Sequence, residues 1–194
     1  MGPFTTLRSR VVALTADDID TDQIIPADLV NVVGDEALAA AAFGRHRRND
    51  PTFVMNRPDR QGRSILFVGR NFGCGSSREA AVWALRAWGV RAIVGVSFNA
   101  TFLNNCLQNA VVPLTVDAAT HADLSSRLAA GADPPFVVDL PAGRVVVEGT
   151  GVEFPAAIEA FARDLLIRGQ DELGYLLDRR DRIAAYERDT GDRT

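Results

Sequence analysis

A chain of 194 residues is long enough for one compact unit with a real core, and an apolar share of 47% with 24% charged residues is that of an ordinary globular protein. A net charge of -4 argues against a general nucleic-acid binder, and no apolar run approaches the roughly 20 residues that cross a bilayer. Two cysteines, Cys74 and Cys106, are too few for a disulfide scaffold; with no apolar signal-peptide core in "MGPFTTLRSR", they lead us to expect a cytoplasmic protein.

In chain order, "VVAL" at 11–14 reads as a short strand, and "DDIDTDQIIP" at 17–26 as a polar loop closing on a small apolar run. Residues 28–43 are aliphatic and alanine-rich, with Gly34-Asp35 as a break before a helix, and "GRHRRNDP" is a basic turn. "SILFVG" at 64–69 is a continuous apolar run bounded by glycine, as expected of a strand covered on both faces. Residues 79–88 carry a helical row of Val82, Leu85 and Trp88, stopped by Gly89. Another buried strand at 91–98, a helix at 99–110 and a strand at 111–116 follow. This alternation predicts a parallel sheet with crossover helices. "PFVVDLPAGRVVVEG" reads as a hairpin turning at Pro141-Ala142-Gly143. From residue 154 on, two amphipathic helices follow, and the last few residues are polar and expected to fray.

The most informative stretch is "NFGCGSSREAAVWALRAWG", residues 71–89. One reading is purely structural: Ser76 and Glu79 have capping-box spacing, each able to satisfy the other's backbone amide. It explains neither two glycines nor a second serine. Gly73 and Gly75 permit backbone angles closed to other residues and let a ligand approach the main chain. A helix start favours anions, and Arg78 adds a fork suited to a carboxylate. The other reading is therefore a carboxylate cradle with hydroxyls aimed into it. A P-loop is excluded because no Gly-Lys-Ser/Thr follows, and the glycine spacing misses the dinucleotide fingerprint. A serine-hydrolase elbow would need serine where Gly75 stands, and only His46 and His121 are available as a histidine base.

"DIDTDQIIPA", "FVMN", "NFGCGSSRE", "SFNATFLNNCLQN" and "VVPLTV" occur in the same order as in the small subunits of 3-isopropylmalate dehydratase, the swivelling domain of the aconitase superfamily, which the chain resembles over nearly its whole length. The resemblance implies a single swivel domain over residues 1–194, a three-layer β/β/α unit with a mainly parallel central sheet, and a C-terminal helical extension from about residue 155 to 194 packed on it. It implies a large-subunit partner carrying a [4Fe-4S] cluster, no cofactor or metal on this chain, and a small dicarboxylic acid as substrate. The implied reaction converts 2-isopropylmalate to 3-isopropylmalate through isopropylmaleate, in leucine biosynthesis. Two thiols are also short of the three or four ligands of a cluster, which makes Cys74 and Cys106 structural.

By the same match, Ser76 is the expected general base, and Ser77, Arg78, Gly75 and Thr21 the residues that hold substrate. A serine alkoxide becomes tolerable where amides and a guanidinium surround it. Asp22 matches an active-site aspartate, although a turn-forming aspartate would look the same. Gln23 is a weaker candidate, and Asn104 and Asn105 are expected to brace the site by capping.

The sequence departs from the family pattern twice. Ala80 stands where a histidine usually follows Ser-Arg-Glu, so either that histidine is structural or activity is altered. No basic residue lies between Gln23 and Gly44, where aconitases carry an arginine for a third carboxylate. Leu29, Val32, Val33, Leu38 and Phe43 fill the interval and form the expected specificity segment for an apolar third arm; the alternative is that they only pack a small helix. Arg45, His46, Arg47 and Arg48 face either solvent or the partner, with Arg47 or Arg48 as a further substrate contact. A related hydro-lyase acting on homoaconitate, citraconate or a dimethylmalate, and a non-catalytic dicarboxylate-binding paralogue, remain as alternatives.

Overall fold

The computed structural model of the chain describes residues 2–191. Residues 192–194, within the tail expected to fray, lie outside the described residues.

Eight strands form two four-stranded sheets among the described residues. Strands β1 (Thr6–Ser9), β6 (Phe136–Asp139), β7 (Arg144–Val147) and β8 (Val152–Pro155) pair antiparallel in the order β1-β6-β7-β8. Strands β2 (Val11–Leu14), β3 (Ile65–Val68), β4 (Ala92–Gly95) and β5 (Val112–Thr115) pair parallel in chain order. The connections of the parallel sheet carry α1 (Thr21–Ile24), α2 (Asp35–Ala41) and α3 (Gly44–Asn49), then α4 (Glu79–Trp88), then α5 (Ala100–Gln108). Helix α6 (Ala118–Ala129) leads back to the antiparallel sheet, and α7 (Ala160–Arg168), α8 (Glu172–Leu177) and α9 (Arg180–Gly191) end the fold.

Alternation along the strands explains the layering. On β3, Ile65 and Phe67 join the core shared with Phe136, Val138, Val145 and Val147 of the antiparallel sheet. Leu66 and Val68 join a second core with Ala81, Val82 and Leu85 of α4. Both faces are covered, so the strand is apolar at every position and wholly buried. The result is the expected three-layer unit: helices, parallel sheet, antiparallel sheet.

Several elements differ from the sequence reading. The polar loop at 17–26 contains helix α1, capped by Asp20, whose Oδ1 accepts from the Gln23 amide at 2.8 Å. The basic turn is helix α3, and the expected two-strand hairpin is the middle of a four-stranded sheet with β1 and β8 at its edges. Helix α6, begun by Asp117 accepting from the amides of Ala119 and Thr120, was not foreseen. The C-terminal region opens on the end of β8 before α7, whose Leu165 and Leu166 are buried; the Phe4 amide donates to the Leu166 carbonyl at 2.8 Å. None of the described helices is long and apolar enough to cross a membrane.

The two sheets are joined at the amino edge of the parallel one. Arg63, 8% exposed, makes a two-pronged contact with Asp133 at 2.6 and 2.8 Å and donates to the carbonyls of Val11 and Asp59. Arg60 and Arg10 also reach the Asp133 carboxylate, at 3.3 and 3.5 Å. The hydrogen bond from Arg63, with the charges of the three arginines, holds the Asp133 carboxyl below its ordinary range. A depressed carboxyl stabilises the fold above its unfolded pKa, and that contribution fades as pH falls through the folded value, here below about 4. Asp133→Asn is therefore expected to cost about 1–2 kcal/mol at neutral pH, after discounting for solvent screening at the half-exposed carboxylate. Chemical denaturation from pH 7 to pH 3 should show the gap from the parent narrowing in acid; a constant gap would exclude the clamp.

Candidate active site at the carboxyl edge of the parallel sheet

Ligands of open parallel sheets bind beyond the carboxyl ends of the strands, and three loops meet there in this chain. Segment 17–25 follows β2, segment 69–78 follows β3, and segment 96–99 follows β4. Isolated parallel bridges between Asp20 and Cys74, and between Phe72 and Phe98, carry the sheet pattern past the strands. The Gly73 amide donates to the Ile19 carbonyl at 2.8 Å, Thr21 to Cys74 at 3.0 Å, and Phe72 to Ser97 at 3.1 Å. The Asn71 side chain ties Asp18 to the same loop at 2.8 Å.

These ties bring the predicted residues together. Thr21, Gly73, Ser76, Ser77, Arg78, Asn99, Phe102 and Asn105 line a small cleft. Ser76 and Ser77 are exposed at its rim. Thr21 is 2% exposed, and its Oγ1 donates to the Ser76 carbonyl at 2.8 Å, fixing the turn from below. Arg78 is the N-cap residue of α4 and caps nothing with its side chain. Its guanidinium forms an ion pair with Asp22 and lies 3.5 Å from the Ile25 carbonyl. Among the described residues the amides of Ser76, Ser77 and Arg78 donate to no partner, so the start of α4 presents free donors.

Two glycines hold this path for different reasons. Gly73 has φ +75°, and a Cβ there would lie 2.2 Å from the Phe102 ring. Gly75 has φ +84° but open space, with Asp20 Cβ as the nearest atom at 3.5 Å. The capping box suggested by the spacing of Ser76 and Glu79 is not made: the helix begins at Glu79, whose carboxylate accepts from Asn109 at 2.9 Å.

Other predicted residues lie elsewhere. Phe43 is core, 1% exposed, with its ring 5.8 Å from Phe53. Leu29 and Val32 pack against the helix-side core, Leu38 is half-buried, and Val33 is 90% exposed. Arg47 is committed to the end of α2, donating to the carbonyls of Ala39 and Ala42 at 2.9 and 3.4 Å, with burial lowering its pKa. It is therefore a helix-end residue rather than a substrate contact. Ala80 packs in the helix-side core. His121 stacks on Phe67 at 4.5 Å, and its Nε2 lies 2.8 Å from the Val68 carbonyl, a buried structural role. Asn104 is exposed and Asn105 lines the cleft, while the bracing expected of them is done by Asn99 and Asn109. Asn99 caps α5 by accepting from the Thr101 amide at 3.0 Å, which an asparagine directly ahead of a helical run signals in sequence.

A larger groove, about 690 Å³, runs between α5 and the α7–α8 region. Its walls include Leu103, Leu107, Phe161 and Leu165, and its carboxylates Glu159 and Asp171 are N-caps of α7 and α8. It brings no hydroxyl, guanidinium and free amides together, so the smaller cleft is the candidate site.

The thiols do not suit a metal. Burial, then the nearby Asp20 and Asp18, push the Cys74 thiol up, and burial pushes Cys106 up further. Both favour the thiol over the thiolate that iron or zinc requires. Among the described residues, no three His, Cys, Asp or Glu side chains converge to hold a metal ion.

Comparison with known proteins shows the family and the fold. Residues 1–119 match the family described as Aconitase C-terminal domain. The 3-isopropylmalate dehydratase small subunit of Solibacter usitatus is 43% identical over 187 residues, covering 96% of this chain and 94% of that one. The protein of the same name from Anaeromyxobacter dehalogenans is 44% identical over 193 residues, covering 96% and 98%. A crystal structure of 3-isopropylmalate dehydratase from Methanocaldococcus jannaschii has the same fold, with a TM-score of 0.69 at 23% identity over 93% of this chain and 99% of that one.

The glycine geometry gives a contrast to measure. Gly75→Ala is expected to cost about 1 kcal/mol, from its backbone angle alone. Gly73→Ala adds a steric clash with Phe102 and should cost about 2–4 kcal/mol. Equal melting temperatures for the two variants would refute the close approach.

Proposed function

This chain belongs to the small-subunit family of 3-isopropylmalate dehydratase, and we propose that it works in that role, closing over a large subunit to interconvert 2- and 3-isopropylmalate through isopropylmaleate. The observation that carries the proposal is the turn Ser76-Ser77-Arg78, with free amides and a half-buried guanidinium, paired with Asp22, at the start of α4. Among the described residues no three metal-ligating side chains converge, which supports reading the implied iron–sulfur cluster as the large subunit's, and the steps below are those of this chain alone.

Removing a proton beside a carboxylate adds charge to a group that is already negative. The substrate carboxylate is therefore held first. Arg78 takes it in a two-pronged contact, exchanging the Asp22 carboxylate for the substrate's, while the Ser77 hydroxyl and the approach left open at Gly75 complete the cradle. Ser76 Oγ, as alkoxide, accepts the proton from one carbon as the C=C bond forms and the C–O bond of the neighbouring carbon breaks, and it returns the proton in the reverse, hydration step. A cluster on the large subunit would supply the Lewis acid that takes the departing hydroxide. The amides of the turn and the positive end of α4 stabilise that oxygen. Thr21 keeps the Ser76 backbone in place, and Asp22, once released from Arg78, orients the bound acid. The substrate's third arm is apolar, because segment 24–43 carries no basic residue to pair with another carboxylate. Leu29 and Val32 of that segment pack on the helix-side core that includes α4, and Val33 is its exposed apolar side chain.

The purified chain, mixed anaerobically with its large subunit, is expected to form a complex that hydrates isopropylmaleate with a higher kcat/KM than citraconate or homoaconitate. Ser76→Ala should lower kcat at least about a hundredfold without changing complex formation or melting temperature. Near-normal turnover in that variant would remove Ser76 as the base. Arg78→Lys should raise KM about tenfold, because an ammonium lacks the second prong; an unchanged KM would refute the contact.

A further inference from the structure

Asn109 closes α5 and is 9% exposed, yet every polar group of its side chain is paired. Its Oδ1 accepts from the Trp83 indole at 3.1 Å, and its Nδ2 donates to Glu79 Oε1 and to the Asn105 carbonyl, both at 2.9 Å. An indole only donates, and a carboxylate and a carbonyl only accept, so the three partners admit one orientation of the amide. Glu79 and Trp83 are one turn apart on α4 and present the same face to it. The contact to Glu79 is charge-assisted and has a fixed direction.

The sequence offers Glu79 another partner. In sequence its spacing from Ser76 is that of a capping box, in which residues 77–79 wind into the first turn and the carboxylate folds back onto the Ser76 amide; here the helix starts at Glu79 instead. That arrangement would place a negative charge over the free amides at the turn, where an acid is to bind. We infer that Asn109 is a positioning residue that holds the Glu79 carboxylate toward α5, so that the turn Ser76-Ser77-Arg78 keeps its donors open to an anion. The inference rests on the reading of that turn as an acid-binding site. Of the charged groups near the turn, Arg78 and Asp22 are paired with each other, Asp20 is turned to the Gln23 amide at the start of α1, and Glu79 is drawn to the α5 side.

The test uses Asn109→Ala and Asn109→Asp, each alone and combined with Glu79→Ala. The aspartate keeps the shape of the side chain and the Trp83 acceptor but repels Glu79, so it covers the case in which the alanine variant folds poorly. In the reconstituted pair, both single variants should raise KM for isopropylmaleate about fivefold with little change in kcat, and Glu79→Ala should restore the parental KM in each. In the chain alone, exchange of the Ser76 amide with solvent deuterium should slow in both single variants and recover in the double ones. An unchanged KM, or a raised KM that Glu79→Ala does not restore, would overturn the inference and leave Asn109 as a brace between α4 and α5. If the pair does not hydrate the acid, the functional reading fails, and exchange at Ser76 still decides what Asn109 does: no slowing there overturns the inference by itself.

Discussion

The ring of Phe102 occupies the space that any side chain on residue 73 would need, and that contact sets the course of the backbone through the cleft. Pressed against α5 on one side, the loop pairs with the segment after β2 on the other, through Gly73 to Ile19 and Thr21 to Cys74. Held from both sides, the next residues reach the start of α4 with little freedom, and the turn can leave its amides unpaired without collapsing. Free donors at a helix start are ordinarily capped by the nearest suitable side chain. Here the nearest suitable side chain is directed elsewhere, and the serines stay at the rim.

This rigidity depends on the sheet below. A parallel strand buried on both faces cannot shift register without moving apolar side chains out of two cores at once. The four strands therefore hold the three loop starts at fixed spacing. The polar clamp of Arg63 and Asp133 binds the two sheets at the amino edge, where Arg63 also takes the carbonyl of Val11 at the start of β2. Stability is thus reinforced at one end of the strands, and the candidate site lies at the other, where backbone groups need not be paired within the sheet.

The sequence made the layered core legible because continuous apolar runs such as "ILFV" suit strands covered on both faces, and the alternation with α4 and α5 gave their parallel order. The turn drew notice for a different reason: two hydroxyls and an arginine crowded behind two glycines are more than a helix cap requires. What stayed hidden came from long-range partners. β1 carries the half-buried alternation of an edge strand, and only its pairing with β6 gives it structure. Helix α3 looked like a basic turn because its arginines dominate the composition, yet Arg47 is drawn inward by the terminal carbonyls at the end of α2. Phe43 looked like part of a specificity segment, but it sits at a left-handed backbone position with its ring in the core. The correct spacing of Ser76 and Glu79 likewise suggested a local cap, and a residue thirty positions away decided otherwise.

The exposure of the serines has a consequence for how the chain works. In water, a serine oxygen competes with solvent for every donor around it, and the field of a helix end is strongly weakened. Arg78, meanwhile, is neutralised by Asp22. As it stands alone, the cleft therefore has the right groups in a setting too wet and too nearly neutral for an alkoxide. Covering the rim with a second polypeptide would remove the water, and a bound carboxylate would take the place of Asp22 at the guanidinium. Both changes strengthen the same electrostatics without moving the backbone of the turn. Under the proposed function, a division of labour between two chains follows from the physics of the cleft: this chain would supply an open arrangement of donors, and the dry surroundings that give those donors their strength would come from the surface that closes on them.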